Sequence, residues 1–339
     1  MTNTMPMSQK SVTRVAITGT GSYLPEKVLT NLDLEQMVET SDEWIRQRTG
    51  IIERRIAEKE IATSDLGTRA ARRAIKTAQI DPLDIDLIIV GTATPDSVFP
   101  STACIVQREI GAKNAYAFDL SAACSGFIYG LDLADGMIRS GKYRTALVVG
   151  AETFSRIVDW TDRGTCILFG DGAGAAVLQA SETDRGIITS YCGSDGVYAD
   201  PDLLGVPAGG SALPLTGDNI DQKLHKVKMR GREVFKFGVR IMPEAALHTL
   251  EMAGLTVNDI DLVIPHQANL RIIEAVGERI GVSADKVYIN VDRYGNTSAA
   301  TVIIALDEAI RSGRIKNGDL VLMVTFGAGL TWGASIIKI

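Results

Sequence analysis

Two stretches of the chain, SAACSGFIYGLDLADGMIRSG (121–141) and YGNTSAATVIIALDEAIRSG (294–313), read as one element written twice, each closing on Ile-Arg-Ser-Gly. Counted back from the closing glycines, Cys124 and Asn296 both fall 17 positions earlier (141 − 124 and 313 − 296). A thiol and an amide at matching places in a repeated element are expected to meet through the pseudo-symmetry of a duplicated fold. The repeat extends outward. Asp84-Ile85-Asp86-Leu87 is answered by Asp259-Ile260-Asp261-Leu262, at an offset of 175 (259 − 84) against 172 (296 − 124) at the helices. SGKYRTALVVGAE (140–152) is echoed by SGRIKNGDLVLMVTFGAG (312–329), and VAITGTGS (15–22) more faintly by GIITSYCGS (186–194). Solenoid units recur every few tens of residues, so a period this long signals one domain-sized unit that was doubled.

Length agrees with doubling. At 339 residues the chain exceeds what one hydrophobic core usually supports, and two packed halves are expected, 12–183 and 184–339. A hydrophobic content of 45% leaves ample side chains to bury, and a formal charge of −6 argues against a nucleic-acid binder. The first dozen residues, MTNTMPMSQKSV, carry no apolar signal-peptide core, which points to the cytoplasm. Four cysteines there read as reduced thiols. Residues 320–337 are long and apolar enough to raise the question of a membrane span. Glycines divide them into two strand-length runs, so a buried hairpin around Gly327-Ala328-Gly329 is expected instead, and no membrane partner.

Apolar strands are predicted at 13–18, 86–91, 145–150, 260–264 and 319–325, and helices at 63–78, 101–110, 125–140, 233–252, 269–280 and 298–312. Strands and helices alternate. Unbroken apolar strands such as DLIIVG and TALVVG belong to sheets covered by helices on both faces, so the class is α/β with central sheets in layers.

Cys124 is the best candidate nucleophile. It stands among Ala122, Ala123, Ser125 and Gly126, where the strand ending in AFDL passes into a helix. Unpaired N–H groups at a helix start favour a thiolate, and small neighbours let a substrate carbonyl approach the backbone. Cys104, Cys166 and Cys192, read as lying in a helix, an apolar strand and a loop, take the commoner structural role. Of three histidines, only His266 follows a strand directly, in DLVIPHQAN, where open α/β sheets place their sites. His225 lies in a basic stretch and His248 in a helical pattern, which suits solvated or packed roles. No metal-ligand cluster is read from the sequence, and no cofactor is expected.

Taken together, TSDEWIRQRTGI (40–51), the cysteine motif, TDRGTCILFGDGAGAAVL (161–178), PHQANLRI (265–272), RYGNTSAA (293–300) and FGAGLTWG (326–333) resemble β-ketoacyl-acyl carrier protein synthase III, a family of the thiolase-fold superfamily. The resemblance spans nearly the whole chain. It implies a thiolase-like five-layer αβαβα fold, a homodimer, and a Cys-His-Asn triad of Cys124, His266 and Asn296. It further implies that a short acyl-CoA, acetyl-CoA first of all, acylates Cys124, and that malonyl-acyl carrier protein then condenses with decarboxylation. Backbone N–H groups at Cys124 and the Gly327, Ala328, Gly329 loop would hold the oxyanion. Trp44, Arg48 and Arg163 would grip the CoA adenine, with Gly231 and Ala268 also contacting CoA. Phe169 and Phe235 would line the acyl tunnel, and Phe99 would close the pocket of the partner in the dimer. Gln267, Arg271, Lys236 and Arg279 would receive the acidic carrier protein. Arg232 departs from the amide expected at its position.

Relatives and rivals separate on single residues. A thiolase needs a second cysteine in the C-terminal half, and none follows Cys192; ketosynthases of the His-His type would carry histidine in place of Asn296. A synthase III-like enzyme of secondary metabolism using a longer acyl-CoA is the alternative. GDGAGAAV (170–177) invites a nicotinamide reading, but it continues into apolar AAVL and is better explained by close strand packing. A cysteine hydrolase would want histidine as a base and water at the acyl-enzyme. The glycine- and proline-rich segment 195–219 is read only as a mobile surface loop.

Overall fold

In a computed structural model, which describes residues 14–339, each half of the chain builds its own sheet. The first runs in the order Arg14–Tyr23, Asp171–Ser181, Thr145–Thr153, Leu87–Gly91, Tyr116–Leu120. The second runs Gly186–Ser194, Thr331–Lys338, Leu320–Gly327, Leu262–Pro265. In both, the first two neighbouring pairs are antiparallel and the third is parallel. The outermost parallel strand of the first sheet survives in the second as a single parallel bridge, Val263 to Val287. The repeat read from sequence is therefore a repeat of topology. The N-terminal dozen and the first residue of the strand expected at 13–18 lie outside the described residues.

Period-two burial explains the layers. In Leu87–Gly91, Leu87 and Ile89 face one core and Ile88 and Val90 another. In Leu320–Gly327, Val321 and Met323 face that same first core, while Leu322, Val324 and Phe326 face a third. The shared core lies between the sheets and holds Phe127, Leu131 and Ile138 of the helix Gly126–Arg139 with Ile303 and Leu306 of the helix Thr301–Arg311. Helices Thr63–Ala78 and Thr102–Ile110 cover the outer face of the first sheet, and Gly231–Ala253 and Leu270–Ile280 that of the second. Helix, sheet, helix pair, sheet, helix is the five-layer order.

The glycine run behaves as close packing. Asp171–Ser181 is an eleven-residue central strand, paired on both edges, and a Cβ on Gly174 would stand 2.6 Å from Ile303 Cγ2. No helix follows it, so the strand-turn-helix context of a dinucleotide site is missing. The expected hairpin forms, Gly327 pairing with Thr331. Two cysteine placements need correction. Cys166 ends a short helix, Arg163–Cys166, because Asp162 caps its N-terminus, and Cys192 lies on the strand Gly186–Ser194, opposite Gly333. Cys104 is in its expected helix but exposed. No described helix is long and apolar enough to cross a membrane.

Candidate active site

Cys124 sits in a 3-10 turn, Ala123–Ser125, that opens with Ala123 at φ +46° and feeds the 14-residue helix Gly126–Arg139. The second copy repeats this backbone. Its turn, Ser298–Ala300, opens with Ser298 at φ +48° and feeds the 11-residue helix Thr301–Arg311. Turn and helix start keep the 175-residue offset (298 − 123, 301 − 126), so the counterpart of Cys124 is Ala299 and not Asn296. The second helix is three residues shorter, so counting back from the helix ends misaligned everything before it. Asn296 lies three residues ahead of Ala299, just after Gly295, whose φ of +62° and approach to Leu168 O, 2.7 Å from an added Cβ, admit only glycine.

Bare backbone brings the turns together. A Cβ on Gly91 would stand 2.7 Å from the Gly126 carbonyl carbon, and one on Gly150 would stand 2.4 Å from Ala299 O. Each of the two neighbouring strands thus abuts one turn. The hairpin closes the third side: a Cβ on Gly327 would meet Cys124 N at 2.8 Å, and Thr331 Oγ1 donates to Ala122 O at 2.9 Å. Of the three hairpin residues, Ala328 reaches the cavity wall.

Cys124, His266 and Asn296 line one cavity of about 300 Å³, and all three are buried. His266 follows the strand Leu262–Pro265, its N–H donating to Val324 O at 2.8 Å, and its Nδ1 lies 2.7 Å from Thr301 Oγ1. Asn296 Oδ1 accepts from Ser298 N at 2.8 Å; a backbone N–H can only donate, which assigns the amide oxygen there and leaves the NH2 end free. Burial pushes the Cys124 thiol up to about 12 and the His266 imidazole down to about 3. Both are neutral at pH 7. The helix start is expected to favour a thiolate, but burial of the sulfur outweighs the backbone donors of its own turn and holds the thiol up. The nearby Glu152 carboxylate, also fully buried, opposes ionisation of the thiol further and is itself pushed up to about 7 by desolvation.

The cavity wall is apolar. Phe169 stacks on Phe154 at 4.5 Å, and both line the space, as do Phe235, Phe326, Met229 and Met242. Leu204, Gly205 and Val206 line it too, so part of the 195–219 segment is a cavity wall, anchored by a two-residue pairing of Leu204–Gly205 with Lys228–Met229. Sequence reading missed this, since the pairing spans a loop without periodicity. Gly231 and Ala268 also line the cavity. Phe99 does not: it is 82% exposed on the surface of its own chain. At the rim, the Arg48 and Arg163 guanidinium groups each lie 4.8 Å from the Trp44 ring centroid. Asn269, a lining residue, donates to Arg48 O at 3.0 Å and ties this cluster to the cavity.

The basic rim divides. Arg271 is exposed, its guanidinium 5.5 Å from the Phe235 ring, and Lys236 is exposed on the helix that carries Phe235. Arg279 donates to Val239 O at 2.5 Å and so braces two helices. Gln267 must be corrected outright. It is buried, donating to Pro265 O and Tyr288 O and accepting from Asn290 N and Val291 N, which spends its amide on backbone and leaves nothing for a carrier protein. His225 is partly buried, and His248 packs edge-on against Tyr191 at 4.5 Å.

Residues 118–196 match the family described as 3-oxoacyl-[acyl-carrier-protein (ACP)] synthase III, and residues 250–339 match its C-terminal family. The β-ketoacyl-[acyl-carrier-protein] synthase III of Caldanaerobacter subterraneus subsp. tengcongensis is 59% identical over 322 residues, covering 95% of this chain and 97% of that protein. The crystal structure of 3-oxoacyl-[acyl-carrier-protein] synthase III from Aquifex aeolicus superposes with a TM-score of 0.89 at 50% identity, covering 96% of this chain and all (100%) of that one. The priming β-ketosynthase of the R1128 polyketide pathway superposes at 0.88 with 38% identity, covering 96% of each chain. Identity of this extent, over a thiolase-like fold with a buried cysteine in its cavity, makes the chain a member of the β-ketoacyl-[acyl-carrier-protein] synthase III family, the acyltransferases that initiate fatty acid synthesis.

Proposed function

We propose that the chain joins a short acyl-CoA, acetyl-CoA first of all, to malonyl-acyl carrier protein through Cys124, His266 and Asn296. The observation that carries this reading is a thiol, an imidazole and an amide NH2 sharing one apolar cavity. Cys124 sulfur attacks the thioester carbonyl, and backbone N–H groups at Cys124 and the Gly327 to Gly329 hairpin hold the oxyanion. CoA leaves as the thiol with the proton that Cys124 gave up. The malonyl thioester then places its carbonyl oxygen on His266 and Asn296. Carbon dioxide departs, the electron pair stays as an enolate on that oxygen, and the enolate carbon attacks the acyl carbonyl and expels Cys124 as a thiolate, which takes up one proton from solvent to restore the resting thiol. No general base removes a carbon-bound proton, so a histidine with its affinity for protons suppressed is suited to the task. Each donor aimed at the developing charge is worth about 3 to 4 kcal/mol.

The halves 12–183 and 184–339 would divide this work, the first storing the acyl group and the second activating malonate. Trp44, Arg48 and Arg163 are offered as the CoA adenine grip, Gly231 and Ala268 as its pantetheine contacts, and Phe169 and Phe235 as the acyl walls. Arg271 and Lys236 are offered as the carrier-protein landing, with Arg279 bracing it. Exposure of Phe99 suits a homodimer in which it closes the partner's pocket. Labelled acetyl-CoA followed by malonyl carrier tests the whole scheme. Stable label on Cys124, with carbon dioxide released upon the second addition, is expected; rapid hydrolysis of the label would indicate a cysteine hydrolase and sink it. A series of acyl-CoA lengths decides between acetyl priming and the longer primers of a secondary-metabolic enzyme, a reading supported by the likeness to the R1128 priming ketosynthase.

A further inference from the structure

We infer that Thr301 is a positioning residue: its hydroxyl donates to His266 Nδ1 and thereby holds the imidazole in the tautomer whose Nε2 carries the hydrogen. The inference rests on the reading of His266 as a donor to the malonyl thioester, and it says what makes His266 one.

A neutral imidazole has one N–H and one lone pair, and the partner of one nitrogen decides what the other presents. Here Nδ1 faces Thr301 Oγ1 at 2.7 Å, and no other partner of the ring is found among the described residues. Thr301 Oγ1 is also 3.0 Å from Ser298 O. A hydroxyl has one hydrogen, so it can serve one of the two acceptors.

The competing carbonyl has no need of it. Thr301 opens the helix Thr301–Arg311, and its own backbone N–H already donates to Ser298 O, closing the preceding 3-10 turn. If the hydroxyl hydrogen went to Ser298 O as well, Nδ1 would have to donate to Thr301 and Nε2 would present a lone pair to the cavity. That lone pair would then meet an incoming carbonyl oxygen that is itself an acceptor, and the two would repel. Given to Nδ1, the hydroxyl hydrogen leaves Ser298 O with its backbone donor, supplies Nδ1 with one, and leaves Nε2–H to donate to that incoming oxygen. Asn296 is oriented by the same turn, because Ser298 N–H occupies its amide oxygen. One 3-10 turn thus sets both donors, Asn296 through a backbone N–H and His266 through the side chain that follows it.

The test compares Thr301→Val, which keeps the shape and removes the hydroxyl, with Thr301→Ser, which restores the donor. Three histidines make the 15N spectrum of histidine-labelled protein tractable. His266 in the wild type and in Thr301→Ser should carry its hydrogen on Nε2, while in Thr301→Val the population should move toward Nδ1. Condensation, followed by carbon dioxide release from malonyl carrier, should fall about 10- to 100-fold in Thr301→Val. Acyl transfer from labelled acetyl-CoA should fall less than about threefold, and Thr301→Ser should recover most of the lost condensation. An Nδ1–H wild type, a Thr301→Val enzyme that condenses normally, or equal losses in both half-reactions would each overturn the assignment. The wild-type spectrum keeps the question open to refutation even if Thr301→Val folds poorly. The underlying reading fails separately, by His266→Ala condensing at the wild-type rate.

Discussion

The turns Ala123–Ser125 and Ser298–Ala300 share a backbone, down to a left-handed first residue, and differ in what they carry. In the first copy the middle residue is Cys124, whose thiol reaches the cavity; in the second it is Ala299, fully buried against Gly150. The second copy does its work from the edges, through Asn296 just before the turn and Thr301 just after it. Duplication therefore supplied two equivalent scaffolds, and specialisation used non-equivalent positions on them. A methyl group at Ala299 also packs within 3.5 Å of a Cβ built on Gly126, so that site serves the close contact between the copies.

Breaking the first copy should give the largest effect. Cys124→Ala is expected to abolish acyl labelling, with loss of overall rate of at least about 10⁴-fold, while slow decarboxylation of malonyl carrier persists on the intact second copy. Adding Ala299→Cys to that variant should not restore labelling, since position 299 is sealed from the cavity; labelled Cys there would show that the turns are functionally interchangeable. Breaking the second copy should spare the first. His266→Ala or Asn296→Ala is expected to lower condensation by about 10² to 10³ while single-turnover acylation of Cys124 survives. Equal loss of both half-reactions would end the division of labour.

Smaller effects probe the contact between copies. Gly150→Ala drives a methyl to 2.4 Å from Ala299 O, a backbone atom that cannot rotate away, and should cost about 1 to 3 kcal/mol, read as a lowered Tm. The smallest effect concerns pH. The folded-state value for His266, about 3, lies below the ordinary 6.5 of a solvated histidine, so between those values the unfolded chain binds more protons than the folded one. Stability from this group is fully present above about pH 6.5 and declines as pH falls toward 3, by about 1 kcal/mol between pH 6.5 and 5.5. His266→Asn should therefore lose less Tm than the wild type over that interval; equal losses would show that the imidazole takes up its proton without penalty.

Much of the fold was legible because duplication and period-two burial are local patterns. Runs such as Leu87 to Val90 announce a sheet covered on both sides, and the answered Asp-Ile-Asp-Leu motifs announce that the sheet is built twice. The site was legible where chemistry stands out by residue type: one cysteine among small residues, one histidine at a strand end, one asparagine after a glycine. Other features depended on distant partners. From sequence, Gln267 is expected to receive the carrier protein, whereas Pro265, Tyr288, Asn290 and Val291 consume its amide. The wall formed by Leu204 to Val206 depends on a two-residue pairing with Lys228–Met229 that leaves no periodic trace.

The sequence by itself determined that the chain is a doubled α/β unit and which residue types could carry its chemistry, because repeats, hydrophobic period and rare reactive side chains are properties of the chain alone. Tertiary structure decided which positions correspond, since a helix three residues shorter shifts the count without shifting the turn that precedes it. It also decided the protonation of the site. A thiol at a turn and a histidine after a strand have ordinary affinities for protons until burial removes the water that would stabilise their charged forms, which pushes the thiol up and the imidazole down.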